Sequence, residues 1–250
     1  MSKKDLNQDK DEIIENGKDF EQSSGDENKV VKFREFVQNK SQLISWISIG
    51  AILLVAGIFF AKNYLEKSSE SKRENAAVSL SRILPYYEAP DFKTALFGEK
   101  SATIRNQKII GLIDIVKEYK STNIGKVAAL YAGNSYLAVG KASEAVGYFE
   151  IAGDSPSKLV IMGSYAGLGS CNEYMKKFDE AAEFYQKAAE LSVSEQTKSR
   201  YLYYAASMFE KSGKKPEAEK IYRSIIDEDQ MSEFANYSKA GLTRLGMIIE

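Results

Sequence analysis

At 250 residues and 44% apolar content the chain has room for one domain of ordinary size with a packed core plus appendages, which excludes a peptide hormone or a wholly disordered protein. Lys and Arg total 34 against 35 Asp and Glu, so the formal charge of −1 sets up no field that gathers nucleic acid, and nucleic acid is not expected as a partner. The absence of His removes mechanisms that need an imidazole base or ligand, and the single cysteine, Cys171, can form neither an internal disulfide nor a Cys-pair metal site.

Residues 1–28 carry only five large apolar side chains among many charges, too few to offset the entropy of ordering the backbone, and are read as a disordered tail. Over 29–42, Val30, Phe33, Phe36 and Val37 recur at helical spacing, as expected of a juxtamembrane amphipathic segment lying on a membrane surface or extending the helix that follows. Residues 43–61, LISWISIGAILLVAGIFFA, hold no charge, and as a helix these 19 residues span about 28 Å, close to the hydrocarbon thickness of a bilayer. A transmembrane helix over 43–62 is expected, with Trp46 and Tyr64 at the headgroup levels. The 42 residues before it, and the lack of a small-x-small site after it, argue against a cleaved signal peptide. Basic residues balance across the span, so charge counting leaves its orientation open. The ten acidic and eight basic residues of the first 42 favour a tail that stays in the cytoplasm. Gly50, Gly57 and Ala61 share one side of the span and would let another helix approach closely.

After the membrane, helix formers run from Tyr64 to Leu84, where Pro85 should stop the helix. The stretch EAPDFKTALFGEKS reads as irregular, and 102–120 as a helix, with Ile109, Leu112, Ile113, Val116 and Tyr119 on one face. No β-alternating run of any length appears. Residues 63–121 are thus read as a linker helix followed by a degenerate opening repeat.

The remainder repeats itself. With Ala145, Ala181 and Ala218 as a common position, the spacings are 36 and 37 residues, the range of two-helix solenoid repeats. Four residues after each alanine stand Phe149, Tyr185 and Tyr222, and twelve before it stand the small residues Gly133, Gly169 and Ala206. The small residues let the two helices of a repeat approach, and the aromatics fill the gap to the next repeat. Gly140 and Gly213, five residues before the common alanine, suit a helix end that needs positive φ. The boundaries follow as repeats at about 126–161, 162–198 and 199–232 within 122–250, closed by a capping helix at 233–249. The expected fold is all-α, a single N-terminal transmembrane helix followed by a solenoid of helix pairs.

These residues resemble the tetratricopeptide repeat family, whose W-x2-L-G-x2-Y, A-x3-F, P pattern is matched by Ala132, Gly133, Tyr136, Ala145 and Phe149. It is matched again by Tyr165, Leu168, Gly169, Ala181 and Tyr185, and more loosely by Ala205, Ala206, Phe209, Ala218 and Tyr222. Ala129, Asn172 and the early Pro156 depart from it. The order of parts over 29–250, with the juxtamembrane KFREFVQNKSQL, resembles the YfgM-type ancillary subunits of the bacterial Sec translocon. That resemblance implies a single-pass protein of the bacterial inner membrane with a cytoplasmic N-terminus and a periplasmic repeat domain. It implies protein partners: translocon subunits, periplasmic chaperones or client polypeptides. A structural scaffold for envelope assembly or cell division is the alternative the residues leave open, and neither reading fixes the oligomeric state.

Site by site, the sequence offers chemistry little purchase. Gly163, Gly167 and Gly169 are helix-packing residues, because the phosphate-loop pattern would need glycine at Asn172 and a preceding strand. Ser155 before Pro156 reads as a helix N-cap, and Cys171 as a small packing residue. No catalytic residue, metal ligand or cofactor is expected, and the chain is read as a binding protein, not an enzyme. By the family frame a peptide groove would be lined by Leu130, Asn134 and Leu137 in repeat one. Ala166, Ser170, Glu173 and Tyr174 follow in repeat two, and Arg200, Tyr203, Ser207 and Glu210 in repeat three. Of the family's carboxylate clamp only Asn134 and Arg200 find counterparts, with Leu130, Gly167 and Tyr204 in the other places. The groove is therefore expected to take a hydrophobic or extended segment.

Overall fold

A computed structural model describes residues 28–33, 41–104 and 107–248, with side chains described outside 41–53, 100–104 and 107. The chain divides into two compact units, Met1–Lys67 and Ser68–Glu250. In the first, residues 28–33 are helical (α1), with Val30 and Phe33 exposed; Phe36, Val37 and the tail of 1–27 lie outside the described residues. Helix α2, Ser41–Glu88, begins here and takes in the whole apolar run. Among the described residues no helix is long and apolar enough to cross a membrane, and of the apolar run only Leu54 onward has described side chains. Gly57 and Ala61 are exposed, with nothing within 4 Å of a Cβ placed on Gly57; the surroundings of Gly50 lie outside the described side chains.

In the second unit α2 does not stop before Pro85: it continues to Glu88. The proline leaves one carbonyl without its amide and costs about 3 kcal/mol in a helix interior. Packing offsets that cost. Ile83 on the preceding turn is fully buried, and the Tyr87 ring sits 4.7 Å from Tyr131 and 5.7 Å from Phe92. After the short α3, Phe92–Phe97, the expected helix over 102–111 is replaced by an antiparallel pair, β1 Glu99–Ile104 with β2 Gln107–Ile109. Helix α4 is confined to Leu112–Tyr119. Gly111 before it is extended at φ −77° and ψ 166°, so the helical spacing of Ile109 with Leu112 is a coincidence of two buried elements.

Seven helices follow as three pairs and a cap: α5 Asn123–Ala138 with α6 Ala142–Gly153, α7 Lys158–Tyr174 with α8 Phe178–Glu190, α9 Glu195–Ser212 with α10 Lys215–Glu228, and α11 Glu233–Leu245. Capping hydroxyls start several of them. Thr122 accepts from the Gly125 amide at 3.0 Å, Ser194 from Thr197 at 3.2 Å and Ser232 from Ala235 at 3.1 Å. Ser155 does not cap α7, which begins two residues beyond Pro156; its hydroxyl accepts from the Ser157 amide at 3.2 Å instead.

The turn inside each pair repeats atom for atom. Lys141, Lys177 and Lys214 donate their amides to the carbonyls of Tyr136, Asn172 and Phe209 at 2.8, 2.8 and 2.9 Å. The residue before each is left-handed, Gly140 at φ 74°, Lys176 at 61° and Gly213 at 85°. Ala145, Ala181 and Ala218 are fully buried, and the aromatics after them join neighbouring pairs. A Cβ on Gly133 of α5 would lie 2.7 Å from the Phe149 ring, and one on Gly167 of α7 would lie within 2.5 Å of the same ring. Phe149 is therefore clasped between its own repeat and the next. Tyr222 lies in the same way against Gly241 of the cap.

Candidate protein-binding groove

The first helices of the three pairs bring Leu130, Asn134, Leu137, Ala166, Ser170 and Arg200 onto one open concavity of about 310 Å³. Gly163, Gly167, Tyr185, Tyr201 and Tyr204 complete the lining. Gly163 and Gly167 contribute only backbone to its lining, since their missing side chains leave space for Leu130 and the Phe149 ring, and its walls carry tyrosine rings. The Tyr185 and Tyr204 rings are 5.4 Å apart, and Tyr201 and Tyr204 6.3 Å apart. Arg200 is the one charged group of the lining; its guanidinium lies 5.4 Å from the Tyr201 ring centroid. Asn134 donates to the Tyr87 hydroxyl at 3.4 Å, tying the end of α2 to the first repeat.

The remaining candidates lie elsewhere. Glu173 and Glu210 are committed to the scaffold. Tyr185 donates to Glu173 at 3.1 Å while Lys211 pairs with its other oxygen at 2.7 Å. One repeat on, Tyr222 donates to Glu210 at 2.8 Å and Arg244 holds both its oxygens at 2.8 and 2.9 Å. The Arg244 hydrogen bond holds the Glu210 carboxyl below the usual glutamate value, and burial, with Glu210 beside it, pushes the Tyr222 hydroxyl upward. Tyr203 packs among Tyr204, Tyr222, Phe234 and Tyr237, at centroid separations of 5.6 to 6.2 Å. Ser207 is half-buried outside the concavity, and Tyr174 is exposed at the end of α7.

Sequence reasoning placed Tyr204 only at a position of the carboxylate clamp and missed Tyr185 and Tyr201 as groove residues. The signal was present, since Gly163 and Gly167 reach Arg200 and Tyr204 by the same 37-residue step that joins Ala181 to Ala218. The frame was instead carried forward from Ala166, which turned the face of α9 away by one position. Cys171 is fully buried, and desolvation pushes its thiol up to about 12, so it packs and does not react. Among the described residues no group of three or more Asp, Glu or Cys is gathered so as to hold a metal ion.

A family model described as Iml2/Tetratricopeptide repeat protein 39 matches residues 62–237, most of the second unit. Comparison with curated proteins found no match.

Proposed function

We propose, because the chain belongs to the Iml2/Tetratricopeptide repeat protein 39 family, that it is an adaptor which holds polypeptide partners in the groove of its helix pairs, and that it does so beside a membrane. The observation that carries the adaptor reading is the concavity shared by α5, α7 and α9, whose lining of small residues, tyrosines and one arginine suits an extended segment. The anchor is the apolar run of α2. In its described part Leu54, Val55, Ile58, Phe59 and Phe60 point all round the helix and are each more than 60% exposed, and a helix that is apolar on every side needs a medium other than water. Tethering to a surface raises the effective concentration of partners, so that weak groove contacts suffice. The order of parts favours the bacterial inner membrane, a cytoplasmic N-terminus, a periplasmic repeat domain and work near the Sec translocon and its chaperones, with binding and no bond-making of its own.

Photo-crosslinking tests the groove. Benzoylphenylalanine at Leu137 of the full chain in living cells should give polypeptide adducts that disappear when Ala166→Trp fills the concavity. The same crosslinker at Asn236, exposed on the cap, should give none of those adducts. Adducts that are equal with and without the filled groove would refute the reading. Protease added to spheroplasts should degrade the repeat domain, and its survival until the membrane is lysed would refute the topology.

A further inference from the structure

A second concavity, of about 260 Å³, lies between the start of α9, the end of α10 and the start of α11, and shares no lining residue with the groove. Glu195, Glu228, Asp229 and Glu233 surround it, with Ser199 and Phe234 in its wall. Its volume is below the range of ordinary small-molecule pockets and suits one long side chain. Three of the carboxylates have local partners: Glu195 pairs with Lys198 at 3.0 Å, Asp229 accepts the Met231 amide at 3.0 Å, and Glu233 accepts the Tyr237 hydroxyl at 2.8 Å. Lys198 is the one cation paired with this rim, and it does not line the cavity. Among the described residues Glu228 has no hydrogen bond or ion pair. Lys198, which pairs with Glu195, also feels the charge of Glu228, so among the described residues one cation stands against four carboxylates and the rim keeps an excess of negative charge.

Ser199 supplies an independent indication. It is 9% exposed, it lines the same cavity, and among the described residues its hydroxyl has no hydrogen-bond partner. The hydroxyl keeps contact with the solvent of the cavity, so a donor or acceptor brought in there takes the place of water on it. The carboxylates are not placed to share a metal ion. What fits is an organic cation with several N–H donors and a flat face. Two carboxylates and a hydroxyl around an aromatic ring match the forked donors of a guanidinium, which bonds carboxylates in pairs and stacks on rings, better than the point charge of an ammonium.

We propose that this acidic notch is a second docking point, which receives an arginine side chain of a partner polypeptide at the edge of the solenoid. The partner then engages two separate features of one domain, and each can be weak alone.

Saturation-transfer difference NMR on the full-length chain tests this with N-acetyl-argininamide, its neutral isostere N-acetyl-citrullinamide, and spermidine. The arginine compound should show transfer at its Cδ protons at least fivefold above the citrulline compound, and Glu228→Gln or Glu233→Gln should each reduce it severalfold. Ala166→Trp, which fills the groove, should leave it unchanged, so that failure here and failure of the groove reading are told apart. No transfer, equal transfer from the neutral isostere, or transfer that survives both substitutions would overturn the proposal. Displacement by spermidine at equal concentration would also overturn it, since it would reveal a diffuse acidic surface with no site for a guanidinium.

Discussion

The clasp around Phe149 makes a prediction whose sign depends on the background in which it is tested. Alanine is ordinarily the better helix residue, by about 0.5–1 kcal/mol over glycine. Gly147, exposed with nothing within 4 Å of its added Cβ, should show that gain as Gly147→Ala. At Gly167 the same methyl would fall within 2.5 Å of the Phe149 ring. The ring is held on both helices by one edge: its Cε1, which a Cβ on Gly167 would meet, also lies 2.7 Å from where a Cβ on Gly133 would stand, and the side chain is fully buried. Overpacking of this kind costs about 1–3 kcal/mol, so Gly167→Ala should be destabilising by about 1–2 kcal/mol net. Phe149→Ala, which empties a fully buried site, should cost about 3–5 kcal/mol. With the ring gone, only the helix preference is left, and Gly167→Ala should then stabilise by about 0.5–1 kcal/mol. The four chains are compared by denaturant midpoint, followed by ellipticity at 222 nm, with Gly147→Ala as the control. A Gly167→Ala effect of the same sign in both backgrounds would mean that Phe149 does not fill the space between the first two repeats.

Three further outcomes follow from the repeat geometry. Lys176 is left-handed where the other two turns have glycine, and a side chain there costs about 1–2 kcal/mol; Lys176→Gly should raise the melting temperature by a gain of about 0.5–1 kcal/mol after the extra entropy of the unfolded chain. The Glu210 carboxyl is held below its usual 4.5 chiefly by the Arg244 hydrogen bond, so its contribution is fully present above that pH and is lost as the pH falls below it. Glu210→Gln should therefore flatten the acid side of the stability profile below about pH 5 and cost about 0.5–1 kcal/mol at neutral pH, as partly exposed pairs do. The Cys171 thiol, buried and raised to about 12, should resist iodoacetamide in the folded chain and react once denaturant is added, as mass spectrometry would record.

The solenoid was legible because its period is written in residues that touch. Ala145, Ala181 and Ala218 are spaced by one repeat since each sits at the same buried crossing, and the aromatic four positions on is fixed by the gap it fills. The segment before the solenoid has no period to read. In 99–111 the residues that face the core, such as Ile109, are mixed with Lys, Ser, Thr and Gln, and their spacing fits a helix as well as it fits a bulged hairpin. What decides is the tight passage between α3 and α4, where a Cβ on Gly98 would stand 2.5 Å from the Ile109 carbonyl oxygen. That is a contact between chain segments, and no local preference encodes it. Pro85 misled for the related reason that tertiary packing of Ile83 and Tyr87 outweighs a local helix penalty.

The groove was legible in its first repeat and only in part in its second and third, where the scaffold's charges add to the one-position slip in α9. Glu173 and Glu210 are exposed-face residues by helical spacing, and from sequence they look like the polar part of a binding surface. The fold turns both inward to a tyrosine of the same repeat and a cation of the next, Lys211 for one and Arg244 for the other. The first triad joins the second helix pair to the third and the second joins the third pair to the cap, so each ties one unit of the solenoid to the next, and together they engage two negative charges that a partner would otherwise meet. Arg200 is left as the groove's one charge, while four carboxylates, with Lys198 as their paired cation, line the other concavity around Glu228. A partner that used both features would need to carry opposite charges at two separated points. That requirement selects against segments of a single sign more strongly than either site could alone.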